Sequence, residues 1–216
     1  MLRNVLTSMI EKTQENFVDE QRNYIGASSI GSQCLRQIWY EFKGVKSMGV
    51  PAKTRRTWAI GSQLESLVID WLRLAGFKVY LNPQTYFSKE SPHFQGHFDG
   101  ILEINGLRYI LEIKTAKDTS FKLFVNKGVE LWMPQYYAQI QSYMGMSEIF
   151  NAYILVLNKD NSSLSDELVQ FDENYYHQLE EKSLMIASAI SEPPRINGSP
   201  LFYQCKMCKF NKVCHD

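Results

Sequence analysis

Residues 96–115, Gly-His-Phe-Asp-Gly-Ile-Leu-Glu-Ile-Asn-Gly-Leu-Arg-Tyr-Ile-Leu-Glu-Ile-Lys-Thr, read as a β-hairpin. Two runs rich in Ile, Leu, Phe and Tyr, residues 98–104 and 107–113, flank Asn105-Gly106, the dipeptide that suits a two-residue type I′ turn. Side chains alternate along a strand, so Glu112 and Lys114 point to one face while Leu111 and Ile113 point to the other, toward a core. Asp99 lies on the companion run. Two carboxylates converging beside an ammonium can bind a hard divalent cation and a phosphate together. An E-x-K on a strand is also a common solvated ion pair. Here the charges sit among apolar residues, where unpaired charge is costly, and that argues for a retained site.

The chain has 216 residues, which suits one domain or one domain with a small appendage, and its 44% hydrophobic and 13% aromatic content is enough for a sizeable core. No apolar run reaches the length of a membrane span, and residues 1–20 carry no signal-peptide core. A soluble, cytoplasmic chain with no membrane partner is expected. The net charge of zero excludes a global basic signature for nucleic acid. Its distribution is uneven: residues 34–78 hold eight Lys or Arg against three acids, residues 148–192 two against nine. A basic front of this kind is compatible with a DNA-binding face.

Residues 1–25 read as helical, with Val5, Leu6, Met9 and Ile10 as an apolar stripe; the small-residue break 26–33 follows. Residues 34–44 read as a short helix capped by Gly44, and 45–56 as a basic loop. The strongest helical pattern spans 57–75, with Ile60, Leu64, Leu67, Val68, Trp71, Leu72 and Ala75 in register and Gly76 ending it. Glu65 borders that stripe and can share the hairpin's cleft. Strands are expected at 78–81 and 85–87, a polar helix or loop at 118–127, and a helix at 135–144 with Pro134 in its first turn. On that helix Tyr136, Gln139 and Tyr143 share one face, either as a polar-aromatic core stripe or as a grip on a nucleotide backbone and its bases. A central strand at 150–157, a turn at 158–161, a strand at 167–171 and a helix at 173–190 complete the pattern.

Cysteines occur at 34, 205, 208 and 214, the last three as C-x2-C-x5-C. Cytosolic thiols stay reduced, so this layout reads as a metal or cluster site rather than disulfides. Spacing suits zinc and an iron–sulfur cluster alike, since both accept four thiolates. His215 is a bystander to a set the four thiolates already complete. Joint ligation would close nearly the whole chain into a loop, so the site is first structural.

In order, Gly61-x-x-x-Glu65, Gly96-x-x-Asp99, Glu112-x-Lys114 and Tyr136-x-x-Gln139-x-x-x-Tyr143 resemble the motifs of RecB-type PD-(D/E)XK nucleases. The cysteine layout resembles their iron–sulfur branch, which includes the CRISPR-associated RecB-like exonucleases and the nuclease domain of AddB. The resemblance covers residues 34–214. It implies an α/β, restriction-endonuclease-like core, with a mixed central sheet flanked by helices and terminal segments clasped by a four-Cys cluster, as one domain over 1–216. The implied activity is metal-dependent hydrolysis of DNA by an exonuclease acting on single-stranded ends, in repair and recombination, CRISPR adaptation or phage DNA processing. Asp99, Glu112 and the Ile113 carbonyl would hold Mg²⁺ or Mn²⁺, with Lys114 orienting water or stabilising charge. Glu65, at a helical position where many relatives have His, would be a further acid and metal ligand. Tyr136, Gln139 and Tyr143 would position DNA, and Cys34, Cys205, Cys208 and Cys214 would hold a 4Fe-4S cluster. Phe98 stands where the pattern nominally has Pro. A separate helicase or CRISPR integrase chain and a second copy of the chain are further implied partners. Two rival readings are a catalytically silent DNA-binding or assembly subunit that keeps the fold, and a zinc-clasped structural protein. The filled catalytic positions weigh against the first, and the brown colour of an iron–sulfur protein separates it from colourless zinc.

Overall fold

The hairpin forms around its turn. β5 (Gly100–Ile104) and β6 (Leu107–Ala116) pair antiparallel, with Ile104 opposite Leu107. Asn105 and Gly106 both adopt positive φ, 52° and 79°, as a type I′ turn requires and as Asn and Gly tolerate. The computed structural model describes residues 4–15, 22–81 and 84–216. β5 starts at Gly100, two residues later than the apolar run suggests. The reason is Asp99, whose Oδ2 accepts the Ile113 N–H at 2.7 Å. A side chain takes the donor that a longer ladder would need, and the two strands part at that point.

β6 lies mid-sheet rather than at a catalytic edge. The order is β2 (Lys78–Leu81), β5, β6, β7 (Asn151–Asn158), β8 (Leu164–Gln170). β6 and β7 run parallel while the other pairs are antiparallel, which makes the sheet mixed. Parallel neighbours need a crossover, supplied here by α5 (Asp118–Trp132) and α6 (Pro134–Ser147). Residues 118–127, read from sequence as a short polar helix or loop, are the start of α5. Phe121 and Phe124, one turn apart, are buried among polar neighbours, so the helix is anchored by packing. It kinks at Gly128 (φ 71°, ψ 171°), where Glu167 of β8 accepts the Val129 N–H at 2.7 Å.

The sheet has a core on each face. One contains Ile110, Ile154 and Val156 beneath α5, α6 and α7 (Glu173–Ser188). The other packs Val79, Leu102, Leu111 and Ile113 against Val68 and Ile69 of α4 (Ala52–Leu74). Each such aliphatic side chain contributes about 1.5–3 kcal/mol when fully buried. The alternation read from the hairpin therefore holds, with Leu111 and Ile113 facing α4.

α4 starts inside the expected basic loop, because Pro51 fits a helix start and Ala52 to Arg56 are compatible with helix. Its apolar stripe is wider than one sheet face can cover. Leu64, Val68, Ile69 and Leu72 pack, whereas Ile60, Leu67 and Trp71 stay exposed. α1 (Val5–Glu15) buries none of its residues, so its expected stripe faces outward; Arg56 ties it to α4 through Gln14 and Glu11. The expected helix over 1–25 extends beyond what is described at 1–3 and 16–21, and it ends before β1 (Ile25–Gly26). β1 joins β4 (Phe94–Gly96) in parallel, and β4 pairs with β3 (Tyr86–Phe87), in a second small sheet. α2 (Ala27–Ile30) and α3 (Leu35–Phe42) follow β1, and Gly44 takes φ 65° just beyond α3. α8 (Tyr203–Lys206) and α9 (Asn211–His215) close the chain. Among the described residues no helix is long and apolar enough to cross a membrane.

Candidate active site

The fork between β5 and β6 brings Asp99, Glu112 and Lys114 together at a small cavity of ≈ 160 Å³. Glu112 is 2% exposed; its Oε1 accepts a hydrogen bond from Lys114 Nζ, while its Oε2 is buried with no partner. Burial pushes the Glu112 carboxyl up to about 8, with Lys114 pulling down and Asp99 and Glu65 adding to the rise. Burial disfavours the Lys114 ammonium too, but Glu112 beside it outweighs that, and the charged amine is held well into the alkaline range. Asp99 is raised by burial and held back by the Ile113 N–H, Lys114 and His97. Glu65 is raised by burial and then by Asp99, with Lys114 opposing. Glu65 thus reaches the same electrostatic site from α4, one residue from Leu64 in the packed row.

Three acids and one amine that influence one another, with an orphaned buried oxygen among them, form a donor set suited to a hard divalent cation. Among the described residues no three His, Cys, Asp or Glu side chains stand tightly enough gathered to hold a metal ion. Glu112 gives one oxygen to Lys114 and Asp99 gives one to the Ile113 N–H, which leaves the second Glu112 oxygen unpartnered.

α6 forms a wall of this cavity. Gln139 and Tyr143 are both buried and line it, with Gln139 Nε2 donating to Tyr143 Oη at 2.5 Å. Tyr136 lies one turn away with its ring 4.8 Å from Lys114 Nζ, a cation–π contact that fixes the amine. The face read from sequence is real, and its members are packed around the acids rather than spread on an open surface. Sequence reasoning missed Arg22, Tyr24, Ser28, Gln95 and His97, which line the same cavity. The signal for them lay in the small-residue break after Tyr24. A Cβ on Gly96 would stand 2.7 Å from Ala27 Cβ and 2.8 Å from Tyr143, so only glycine lets α2, β4 and α6 meet here.

The four cysteines line a second groove of ≈ 1170 Å³, and all are free thiols. Burial raises the Cys205 and Cys208 thiols, and Cys34 and Cys214 add to both, yet no three of the four stand close enough together to hold a metal ion. The C-terminal segment docks on the α3 region through Met48 N to Lys209 O at 3.0 Å and the Tyr40–Phe210 ring pair at 5.3 Å.

Residues 16–149 match the YqaJ-like viral recombinase domain. An alkaline exonuclease from Laribacter hongkongensis has the same fold, with a TM-score of 0.60 at 13% identity, covering 84% of this chain and 91% of that one. Its complex with dAMP gives 0.61 at 13%, covering 78% and 88%. The crystal structure of SSO0001 aligns with a TM-score of 0.60 at 18% identity over 99% of this chain and 98% of its own. No curated protein matches the chain by sequence.

Proposed function

The chain belongs to the YqaJ-like viral recombinase domain family, and we propose that it is a metal-dependent DNA nuclease whose reaction occurs at the β5–β6 fork. The observation that carries this reading is Glu112 Oε2, a buried carboxylate oxygen without a partner, between Asp99, Glu65 and Lys114. Asp99, Glu112 and the Ile113 carbonyl would hold Mg²⁺ or Mn²⁺, with Glu65 as a further ligand, an oxygen-only set suited to those ions. A bound ion of this kind polarises the scissile phosphate and lowers the pKa of the attacking water.

The remaining steps belong to the chain's own residues. Lys114, held by Glu112 and the Tyr136 ring, places a fixed positive charge where the phosphoryl oxygens gain negative charge. Arg22 offers a guanidinium on the same cavity, which suits a phosphate. A space of ≈ 160 Å³ admits a phosphate with part of its sugar rather than a duplex. That size supports the end of a single strand as substrate and exonuclease action as outcome. The likeness to alkaline exonucleases in fold agrees with this reading. We assign the reaction to recombination of DNA, the role that the family description favours over CRISPR adaptation.

The same proposal gives the cysteines a 4Fe-4S cluster. Its support is four free thiols around one groove, on segments more than 160 residues apart in sequence, Cys34 against Cys205, Cys208 and Cys214. A cubane there would clasp α3 to α8 and α9, and joining segments so far apart in sequence fits a structural role.

End-labelled linear and circular DNA, single- and double-stranded, incubated with Mg²⁺ or Mn²⁺, tests the activity. Linear single strands should be degraded, with Glu112→Ala and Lys114→Ala at least about 10²-fold slower, the scale of losing one charge-stabilising group. Either variant cutting at the wild-type rate would refute the assignment, and degradation of circles would exclude exonuclease-only action.

A further inference from the structure

The large groove does not end at the cysteines. Pro51, Thr54 and Trp58 line it at successive turns of one face of α4. Helical spacing continues that face through Gly61 to Glu65, the acid coupled to Asp99 and Lys114. Among the described residues a Cβ on Gly61 would meet nothing within 4 Å, so none of them covers the helix surface there, between Trp58 and Glu65. Across the groove stand Met133, Pro134 and Gln135, the residues just before Tyr136, whose ring holds Lys114. On both elements the next turn belongs to the catalytic site: Glu65 on α4 acts on Asp99 and Lys114, and the Tyr136 ring of α6 contacts Lys114. Seven residues of helix place Trp58 roughly 10 Å from Glu65 along the axis.

Trp58 is 57% exposed, although it belongs to the most apolar and aromatic class of side chain. The first half of α4 leaves residues 57–60 uncovered while the second half packs on the sheet. The groove also collects cations: Arg36, Arg195, Lys206 and Lys209 line it against two acids, Glu15 and Glu41. Lys209 spends part of its charge on Glu41 at 3.1 Å and Arg36 on Glu192 at 3.1 Å, which leaves a basic excess around Arg195 and Lys206. An exposed indole beside a basic groove is the combination that holds a single strand, by base stacking and phosphate attraction.

We propose that this groove is the track for single-stranded nucleic acid leading to the active site, with Trp58 as its base-stacking platform. The proposal rests on the nuclease reading for the direction of the track, since Glu65 and Lys114 mark its end. A duplex keeps its bases stacked on each other and gains nothing from Trp58, so the residue confers strand preference.

Binding of a fluorescein-labelled oligothymidylate in EDTA, followed by anisotropy, tests the track in the wild type, Trp58→Ala and Trp58→Phe. Trp58 is exposed, so all three should melt at the same temperature. Trp58→Ala should bind about tenfold more weakly, the size of one lost stacking contact, and Trp58→Phe within about threefold of wild type. Binding of a blunt duplex should not change. Manganese-dependent hydrolysis of thymidine 5′-(p-nitrophenyl phosphate), too short to reach Trp58, should also stay at the wild-type rate. Equal binding of the oligothymidylate by wild type and Trp58→Ala overturns the track, as does an equal loss on the duplex. If the wild type hydrolyses neither the ester nor DNA, the nuclease reading falls by itself, and the binding comparison still decides the track.

Discussion

Glu112 answers to three influences at once: burial, the ammonium of Lys114, and the carboxylates of Asp99 and Glu65. Its proton affinity is raised from the ordinary 4.5 to about 8. A group raised on folding stabilises fully below its unfolded value, and that contribution is lost as pH rises through the folded value. The metal-free protein should therefore lose thermal stability between about pH 5 and about pH 8. Asp99 and Glu65 shift in the same direction and reinforce the slope. A divalent cation binds the deprotonated site, so Mg²⁺ should restore the stability lost at the upper end and release protons as it binds. Thermal unfolding across that range, with Glu112→Gln as control, checks this; the variant should show a flatter profile. At this scale the sequence was informative where chemistry and strand period coincide, as at Glu112 and Lys114. For Arg22 and Ser28 the small-residue break was the only signal, because it is the close approach of α2 and α6 at Gly96 that packs this region beside the acids.

Elements show where packing overrides pattern. The Asn105-Gly106 turn was legible because two adjacent positive-φ residues suit few other dipeptides. α5 was not, since Phe121 and Phe124 are isolated among polar residues and its kink depends on Glu167 from another strand. Two glycines on helices separate such contacts from propensity. A Cβ on Gly145 of α6 would meet the Tyr176 ring of α7 at 2.5 Å, whereas one on Gly61 of α4 would meet none of the described residues within 4 Å. Gly145→Ala should cost about 1–3 kcal/mol through overpacking. Gly61→Ala should stabilise by roughly 0.5–1 kcal/mol, because helix propensity alone changes. Urea unfolding of the two variants measures both signs, and equal effects would mean that α6 and α7 do not meet as described.

At the scale of the whole molecule, the parallel β6–β7 pair and its two-helix crossover set the layout, and the nuclease-like order of motifs foreshadowed it. The exposed stripes of α1 and α4 were unreadable, because a helical repeat reports amphipathicity and not what covers it. The proposed cysteine clasp makes its own prediction here. Anaerobically purified protein should be brown, with iron and sulfide in equal amounts, and Cys208→Ser should lose both and expose the C-terminal segment to proteolysis. Stoichiometric zinc in a colourless protein would overturn the cluster. The central claim is that one site at the β5–β6 fork both binds the cation and cuts DNA. Manganese binding followed by electron paramagnetic resonance, in the same samples assayed for cleavage of single-stranded DNA, tests it most directly. Wild type should bind Mn²⁺ and cut, while Asp99→Asn and Glu112→Gln should lose binding and cutting together. Cleavage at the wild-type rate by a variant that no longer binds Mn²⁺ would contradict it.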